Sequence, residues 1–555
     1  MKVVDLFCGA GGFSEGFERA GFEIIRAYDI WGPAILTHNM NHANGKEVAL
    51  KGDIYKIAWS NDEEFEKAIP DSEVIIGSPP CIAFSNSNRS GKADKSNGVA
   101  LIEAFLRIVA RKKFKKNSKL KYWVMENVGN SEKYVEDSYS MKDLGLEGLT
   151  DEVLKVKGST SKLYNMKYFG VPTNRIRYIC GEFPEIVETT AENDVISLGE
   201  ILENLGEPSP NEFKQLDGKI TDPIYGFEIP RTDLTDHHYI SEIPDFEWKK
   251  AKRQKTDKGY MGRMSFPEKL DKPARTIMAT LSTSSRESMI FPLGENKERY
   301  RIPTIREVAT LMSFPIDFRF YGENESVKYR MVGNAVTPKF SFELAKSIYK
   351  DYKEKALKEF ELEDRYSTLK NFSDNPNFIN LNGNIFPLKN EKPKKLNAKY
   401  KYHVPYLIIS AFRVELKNIV DIPEGTFKWD VSIHRSQGIN AEVFRDIEIP
   451  KEIFTEERLY ELMKLSSEIS SLVNNAEELQ VNYCKTINNR NGHTGPDELL
   501  QKIRDEVDKY DGDSIKLSGI SRPVPYKIVI AYFILKNVIE VLNNEEKNFR
   551  RKATH

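Results

Sequence analysis

Short apolar runs separated by polar turns set the rhythm of the first 180 residues. Val3-Val4-Asp5-Leu6-Phe7, residues 22–28, Val74-Ile75-Ile76, Tyr122-Trp123-Val124-Met125 and Arg177-Tyr178-Ile179-Cys180 read as strands, and residues 13–20 as a helix. This alternation predicts a parallel sheet with helices on both faces. Residues 185–300 lose the rhythm. They are rich in Pro, Asp, Lys, Thr and Ser and read as a small irregular domain. Helical periodicity returns over 304–350 around one sharp turn, Val332-Gly333-Asn334-Ala335-Val336. Residues 351–400, rich in Lys, Glu and Asn, read as a linker. Residues 401–555 read as a further α+β domain, strand-like over 406–416 and helical over 456–483, 497–510 and 525–543. No internal repeat is visible.

Composition narrows the class. A chain of 555 residues exceeds one core, so two or three domains are expected. A 40% hydrophobic and 30% charged content describes a soluble globular protein, and no run approaches the roughly 18 apolar residues of a membrane span. The N-terminus shows no secretory pattern, so a cytoplasmic location is expected. Four cysteines (Cys8, Cys81, Cys180, Cys484) without CxxC spacing argue against a disulfide framework or a zinc site, and no metal is expected. Net charge is −1, but residues 111–121 hold seven basic and no acidic residues, and 249–258 six basic and one acidic. Each run alone is weak evidence of phosphate contact.

Candidate chemistry lies at the predicted strand ends, where ligands bind in open α/β sheets. Asp5 to Gly12 places Gly9, Gly11 and Gly12 between a strand and a helix, so backbone can approach a ligand. Asp29 ends the second strand, placed to accept bonds from ribose hydroxyls. The loop is neither GxGxxG nor a P-loop. A nucleoside cofactor without a phosphate chain, such as S-adenosylmethionine, fits better. Trp31 could cover an adenine face, and Asp53 could accept from the adenine amine. After Val74-Ile75-Ile76-Gly77, two prolines force a turn. They leave Cys81 at a loop mouth as a candidate nucleophile. Glu126-Asn127-Val128 follows another strand and faces the same edge. Burial there could raise a carboxyl pKa and let it hold a proton. Arg175 and Arg177, two apart on a strand, are predicted to share one face and suit a carbonyl oxygen or phosphate.

Taken in order, these motifs make the chain resemble the DNA (cytosine-5)-methyltransferases of prokaryotic restriction–modification type. The resemblance covers about the first 350 residues. It includes Ala83-Phe84-Ser85 after the cysteine and a late signature from Arg306-Glu307-Val308-Ala309 through Phe314-Pro315 to Gly333-Asn334-Ala335-Val336. It implies a Rossmann-like α/β catalytic domain (1–184 and 301–350), a target-recognition domain (185–300), a linker (351–400) and an accessory domain of unknown role (401–555). It implies sequence-specific methylation of cytosine C5 in duplex DNA with S-adenosyl-L-methionine, through base flipping and a covalent Cys81–C6 adduct. By resemblance, Cys81, Glu126, Arg175 and Arg177 are catalytic. Glu126 would bond N3 and the exocyclic amine, Arg177 would bond the O2 side, and Arg175 would hold Glu126 or a phosphate. Phe7, Gly9, Gly11, Gly12, Asp29, Ile30, Trp31, Asp53, Ile54, Pro80, Asn334 and Val336 would bind cofactor. Ser85, Arg89, Lys249, Lys250, Arg253, Ser284 and Arg286 are expected to contact DNA. Residues 82–99 read as a loop that closes over the flipped base.

The family pattern is broken at three places. Ile82 stands where Gln is usual after the nucleophile, Thr173 where Gln opens the arginine motif, and Thr337 where Pro is usual. Other readings are a tRNA cytosine-5 methyltransferase, an amino-methyltransferase and a non-catalytic nucleic-acid binder. An amino-methyltransferase would need an aromatic residue where Cys81 stands. In the tail, Glu415-Leu416-Lys417 is compatible with half of a nuclease metal site, but no upstream acid completes it. An accessory DNA- or partner-binding role is the preferred reading. The expected protein is a monomer with duplex DNA, and restriction or defence-system proteins, as partners.

Overall fold

The computed structural model describes residues 1–42, 46–80, 95–211, 217–257, 263–283, 285–294, 298–356, 383–421, 426–436, 441–490 and 492–553. Cys81, Ser85, Arg89 and Ser284 lie outside the described residues, as does most of the expected 82–99 loop.

The first unit holds the predicted βα alternation. Its strands and helices are β1 (Lys2–Leu6), α1 (Gly12–Arg19), β2 (Glu23–Asp29), α2 (Gly32–Asn41), β3 (Ala49–Lys51), α3 (Ile54–Ala58), α4 (Asp62–Ala68), β4 (Val74–Gly77), α5 (Ser96–Lys113) and β5 (Tyr122–Val128). A short ribbon follows, β6 (Ser138–Tyr139) with β7 (Leu154–Lys155), then β8 (Lys162–Asn165), β9 (Thr173–Asn174) and β10 (Ile176–Glu182). The main sheet has seven strands in the order β3-β2-β1-β4-β5-β10-β8. Its first five are parallel. β10 runs antiparallel to both β5 and β8, which corrects the expected all-parallel sheet.

Side-chain alternation along the strands explains the layering. Val3, Ile24, Ile76 and Val124 pack with Phe13 and Phe17 of α1 and with Phe340 and Leu344. Val4, Leu6, Ile75, Trp123 and Met125 pack with Phe105 and Ile108 of α5 on the other face. Both faces are apolar, so helices cover both. Residues 96–99, expected in a closing loop, form the first turn of α5. Glu126, expected beyond its strand, lies inside β5.

Further along are α6 (Leu198–Leu205), α7 (Asp245–Thr256), α8 (Ile305–Leu311), α9 (Glu325–Asn334) and α10 (Pro338–Ala356). Thr304 and Glu307 form a capping box that starts α8. The buried Arg306 guanidinium donates to the carbonyls of Thr235, Pro315 and Phe318 and closes the segment beyond. α10 packs on α1, with Ser341 Oγ donating to Phe13 O at 2.6 Å.

The chain divides into two compact units. The first comprises Met1–Glu242, Glu268–Thr283 and Glu287–Pro387. The second comprises Ile243–Pro267, Ser284–Arg286 and Leu388–His555. Residues 185–300 are therefore shared between units. Part of the expected linker, Asn384–Ile385, is a strand paired with Tyr239–Ile240 in the first unit. In the second, four antiparallel strands (Lys401–His403, Phe412–Asp421, Thr426–Arg435, Glu442–Arg445) form one sheet. One apolar face, including Val414, Leu416, Trp429 and Ile433, packs with α11 (Glu456–Ser470), α12 (Ala476–Cys484), α13 (Pro496–Val507) and α14 (Tyr526–Ala553). The expected helix over 456–483 is thus two helices. The expected strand over 406–416 starts at Phe412. No helix among the described residues is long and apolar enough to cross a membrane.

Candidate active site

The loop from β1 to α1 is shaped by what surrounds it. Gly11 has φ +98°, and a Cβ there would lie 2.2 Å from His42 Nε2. A Cβ on Gly12 would lie 2.2 Å from Val336 O. Only glycines let this loop sit against α2 and against the Asn334-Ala335-Val336 turn. Asn334 of that turn is exposed, while Val336 is buried.

Asp29, at the end of β2, holds the loop from the other side. Its Oδ2 accepts from Gly9 N and its Oδ1 from Trp31 N, both at 2.9 Å. Burial raises its pKa, and the backbone N–H donors oppose the rise. A carboxylate has about four acceptor positions, so capacity remains for a ligand hydroxyl. Beside it, Ile30 is an apolar side chain 66% exposed at a strand end. The Arg330 guanidinium stacks over the Trp31 ring at 4.9 Å. Phe7 holds φ +61° at the head of the loop. Asp53 caps α3, its Oδ1 accepting from Tyr55 N at 3.0 Å, and Ile54 behind it is buried. A glycine cradle, an acceptor pair and an exposed apolar flank fit a nucleoside such as that of S-adenosyl-L-methionine.

Under the loop, Asp5 is 1% exposed and accepts from Ser14 Oγ at 2.7 Å. Burial pushes its pKa up to about 7, against the pull of that hydrogen bond. Cys8 is pushed up by burial and by the nearby Asp5 and Asp29 carboxylates. Burial takes Cys180 up to about 12 and also raises Cys484. All three described cysteines are therefore held as thiols, unlike a nucleophile.

The β4–β5 edge carries the rest. Gly77 ends β4, where a Cβ would lie 2.6 Å from Phe105, and the turn through Pro79 and the exposed Pro80 leads to Cys81. Asn127 Nδ2 donates to Pro79 O at 3.1 Å and anchors the turn to β5. Glu126, 4% exposed, is gripped at both oxygens. Ser78 Oγ donates to Oε2 at 2.5 Å, and Arg177 Nε pairs with Oε1 at 3.0 Å. The antiparallel register, with Arg177 opposite Val128 and Ile179 opposite Glu126, puts both charges on one face. Ser78 escaped the sequence reading. Its only signal was a hydroxyl directly before the double proline.

The two arginines do not share a face. Arg175 lies between β9 and β10, with its N–H donating to Thr173 O at 2.8 Å, and this break ends the two-residue alternation. Its guanidinium is buried and donates to Ile277 O (3.2 Å), Gly333 O (3.2 Å) and Ala335 O (3.0 Å). Among the described residues, Arg177 holds Glu126, and Arg175 ties the turn beside Gly12 to the strand.

In the second unit, Lys249 and Lys250 are exposed on α7. Arg253 contacts Asp257, Asp497, the His403 carbonyl and the Tyr402 ring. Arg286 donates to Gln254 O at 2.8 Å and Asp257 O at 3.1 Å. These guanidiniums bind the protein itself. Residues 111–115 are likewise engaged, with Arg111 on Asp62, Lys112 and Lys115 on Glu66 and Asp71, and Lys113 on Glu182. In the tail, Glu415 pairs with Arg413, His434 and Lys401, and Lys417 with Asp430. No cluster able to hold a metal occurs among the described residues, so no support for a nuclease centre appears there.

A family model described as C-5 cytosine-specific DNA methylase matches residues 1–350. Type II methyltransferase M.MthTI of Methanothermobacter thermautotrophicus is 27% identical over 361 residues, covering 63% of this chain and 98% of that protein. Type II methyltransferase M.FnuDI of Fusobacterium nucleatum is 29% identical, covering 65% and 98%. The crystal structure of the S. pombe Dnmt2 methyltransferase is 20% identical, covers 63% and 99% of the two chains, and gives a TM-score of 0.40.

Proposed function

Since the chain belongs to the C-5 cytosine-specific DNA methylase family, we propose that it methylates cytosine C5 at a specific sequence in duplex DNA, with Cys81 as nucleophile and Glu126 and Arg177 as the groups that hold the base. S-adenosyl-L-methionine, when bound, supplies the electrophilic methyl group.

C5 of cytosine is a weak nucleophile. Addition of the Cys81 thiolate to C6 moves the C5=C6 electron pair onto C5, which then takes the methyl group. Loss of the C5 proton to a base returns the electron pair, the C6–S bond breaks, and 5-methylcytosine leaves as the thiolate is restored. The ring is reachable only when flipped from the duplex. Glu126, fixed by Ser78 and Arg177, meets the N3 and amine edge. The remaining Arg177 donors meet O2. Asp29, the glycine loop and Asn334 hold and orient the methyl donor. Arg175 acts through the backbone it fixes.

The two-point grip on Glu126, one strand from the Pro-Pro-Cys turn, carries this reading. Relatives that are type II methyltransferases support a role in a restriction–modification system, acting on cytoplasmic DNA. The test is bisulfite sequencing of mixed-sequence duplex after incubation with cofactor and either wild type or Cys81→Ser. Protection of one short motif by wild type alone is expected. Methylation of tRNA but not duplex would move the substrate to RNA, and protection by Cys81→Ser would remove the nucleophile assignment.

A further inference from the structure

Residues 388–555 lie beyond the family match, yet they share a unit with residues 243–267, which lie inside it. Interactions within that unit show how they meet. Lys389 Nζ stands 3.9 Å from Glu247 on α7. Arg253, further along α7, reaches the His403 carbonyl and the Tyr402 ring, and Asp257 pairs with His403 Nε2 at 2.8 Å. The two ends of the segment 389–403 therefore touch α7, and its middle packs on α12, where Gln480 donates to Leu396 O and Ala398 O.

Both stretches expose lysines. Trp248, Ala251 and Lys255 form the buried face of α7, and Lys249, Lys250 and Lys252 are exposed. In the neighbouring segment Lys392, Lys395 and Lys399 are exposed. Lys249 pairs with Asp245. The other five have no carboxylate partner among the described residues. Neither nearby acid makes an ion pair with them: Glu391 accepts from Ile487 N at 2.7 Å, and Asp257 pairs with Arg253 and His403. The deciding observation is that five exposed lysines without a carboxylate stand on two stretches that touch, whereas in the run 111–121 four of the seven cations hold carboxylates. Like charges gathered without counter-charges repel at distances below the Debye length of about 8 Å. A polyanion removes that cost and releases its own counterions.

We propose that Lys250, Lys252, Lys392, Lys395 and Lys399 form a phosphate-binding ridge for duplex DNA, which makes the C-terminal extension part of the DNA-binding apparatus. Lysines offer mobile point charges without fixed fork geometry, so the ridge grips backbone and reads no bases. The inference rests on duplex DNA being the substrate.

The test uses the full chain with all five lysines changed to Gln. DNA affinity is followed by fluorescence anisotropy across a salt series, and methyl transfer is assayed alongside. Each phosphate left without its lysine lowers the slope of log affinity against log salt by about 0.9. A slope smaller by about 2–4, and binding at least about 10-fold weaker at 0.1 M salt, are expected. A control with Lys67→Gln, Lys119→Gln and Lys121→Gln alters exposed lysines at the sheet edge opposite the site and should leave the slope unchanged. A folded five-lysine variant with the wild-type slope overturns the ridge. So does a variant that loses affinity only for single-stranded RNA. Wild type that binds through the ridge but methylates no cytosine sinks the proposed activity and leaves the ridge standing.

Discussion

Replacing Arg175 by Met keeps the side-chain stem and removes a guanidinium that donates to three buried carbonyls, at 3.2, 3.2 and 3.0 Å. Hydrogen bonds from charged groups contribute about 1.5–3 kcal/mol each, and losses within one cluster do not simply add. The expected loss is about 3–5 kcal/mol of stability. At a urea m-value of about 3 kcal/mol/M, the midpoint moves down by about 1–2 M. Affinity for the cofactor should fall as well, because two of the freed carbonyls, Gly333 O and Ala335 O, belong to the turn whose Val336 O lies against Gly12. Arg177→Met should act on the chemistry instead of on cofactor affinity. That side chain is 12% exposed and pairs with the buried Glu126, so its loss also costs stability, but cofactor affinity should hold while the methyl-transfer rate drops by about 100-fold or more. Urea titration and single-turnover methylation of both variants make the comparison. An Arg175→Met protein with the wild-type midpoint and cofactor affinity but no methyl transfer would refute the reasoning.

Three further outcomes are expected. Ser78→Ala frees one oxygen of Glu126 and should slow single-turnover methyl transfer about 10–100-fold, with cofactor affinity unchanged; an unaltered rate contradicts the grip. Gly12→Ala sets a methyl against Val336 O and should weaken cofactor binding by calorimetry by more than about 10-fold, at a cost of about 1–3 kcal/mol in stability. Asp5, at about 7 when folded against an ordinary value of 3.8, keeps its proton in the folded state where the unfolded chain has lost it. Its contribution is full below pH 3.8 and fades as pH rises to about 7, by up to about 4 kcal/mol. Asp5→Asn should therefore gain on wild type in urea midpoint between about pH 4 and 8, and parallel profiles would exclude the shift.

Short apolar runs revealed β1, β2, β4 and β5, which lie inside a sheet covered on both faces, whereas the three-residue edge strand β3 (Ala49–Lys51) was too short to show a pattern. The reversed direction of β10 was invisible, since a strand's residues carry no mark of its partner's direction. That reversal sets Arg177 beside Glu126. Arg175 and Arg177 looked alike in sequence. A one-residue break after β9 turns the first inward, and no local residue preference announces it. The two basic runs also looked alike. The partners that neutralise 111–115 are Asp62, Glu66, Asp71 and Glu182, distant in sequence and close only after folding. Glycine positions were the most legible part of the site, because Gly9 and Gly11 hold positive φ and the neighbours of Gly11 and Gly12 leave no room for a side chain.

The sharing of α7 with the C-terminal sheet has a consequence for synthesis. Arg253 and its partner Asp497 are 244 residues apart. At about 5–20 residues per second, α7 leaves the ribosome roughly 10–50 seconds before that partner exists. During that time a nascent chain already carrying the whole catalytic sheet still holds α7 without the strands and helices that complete its unit. Cutting the chain at residue 387 would make that wait permanent. The truncated product would keep the main sheet and carry an orphaned α7, so it would not be a minimal enzyme.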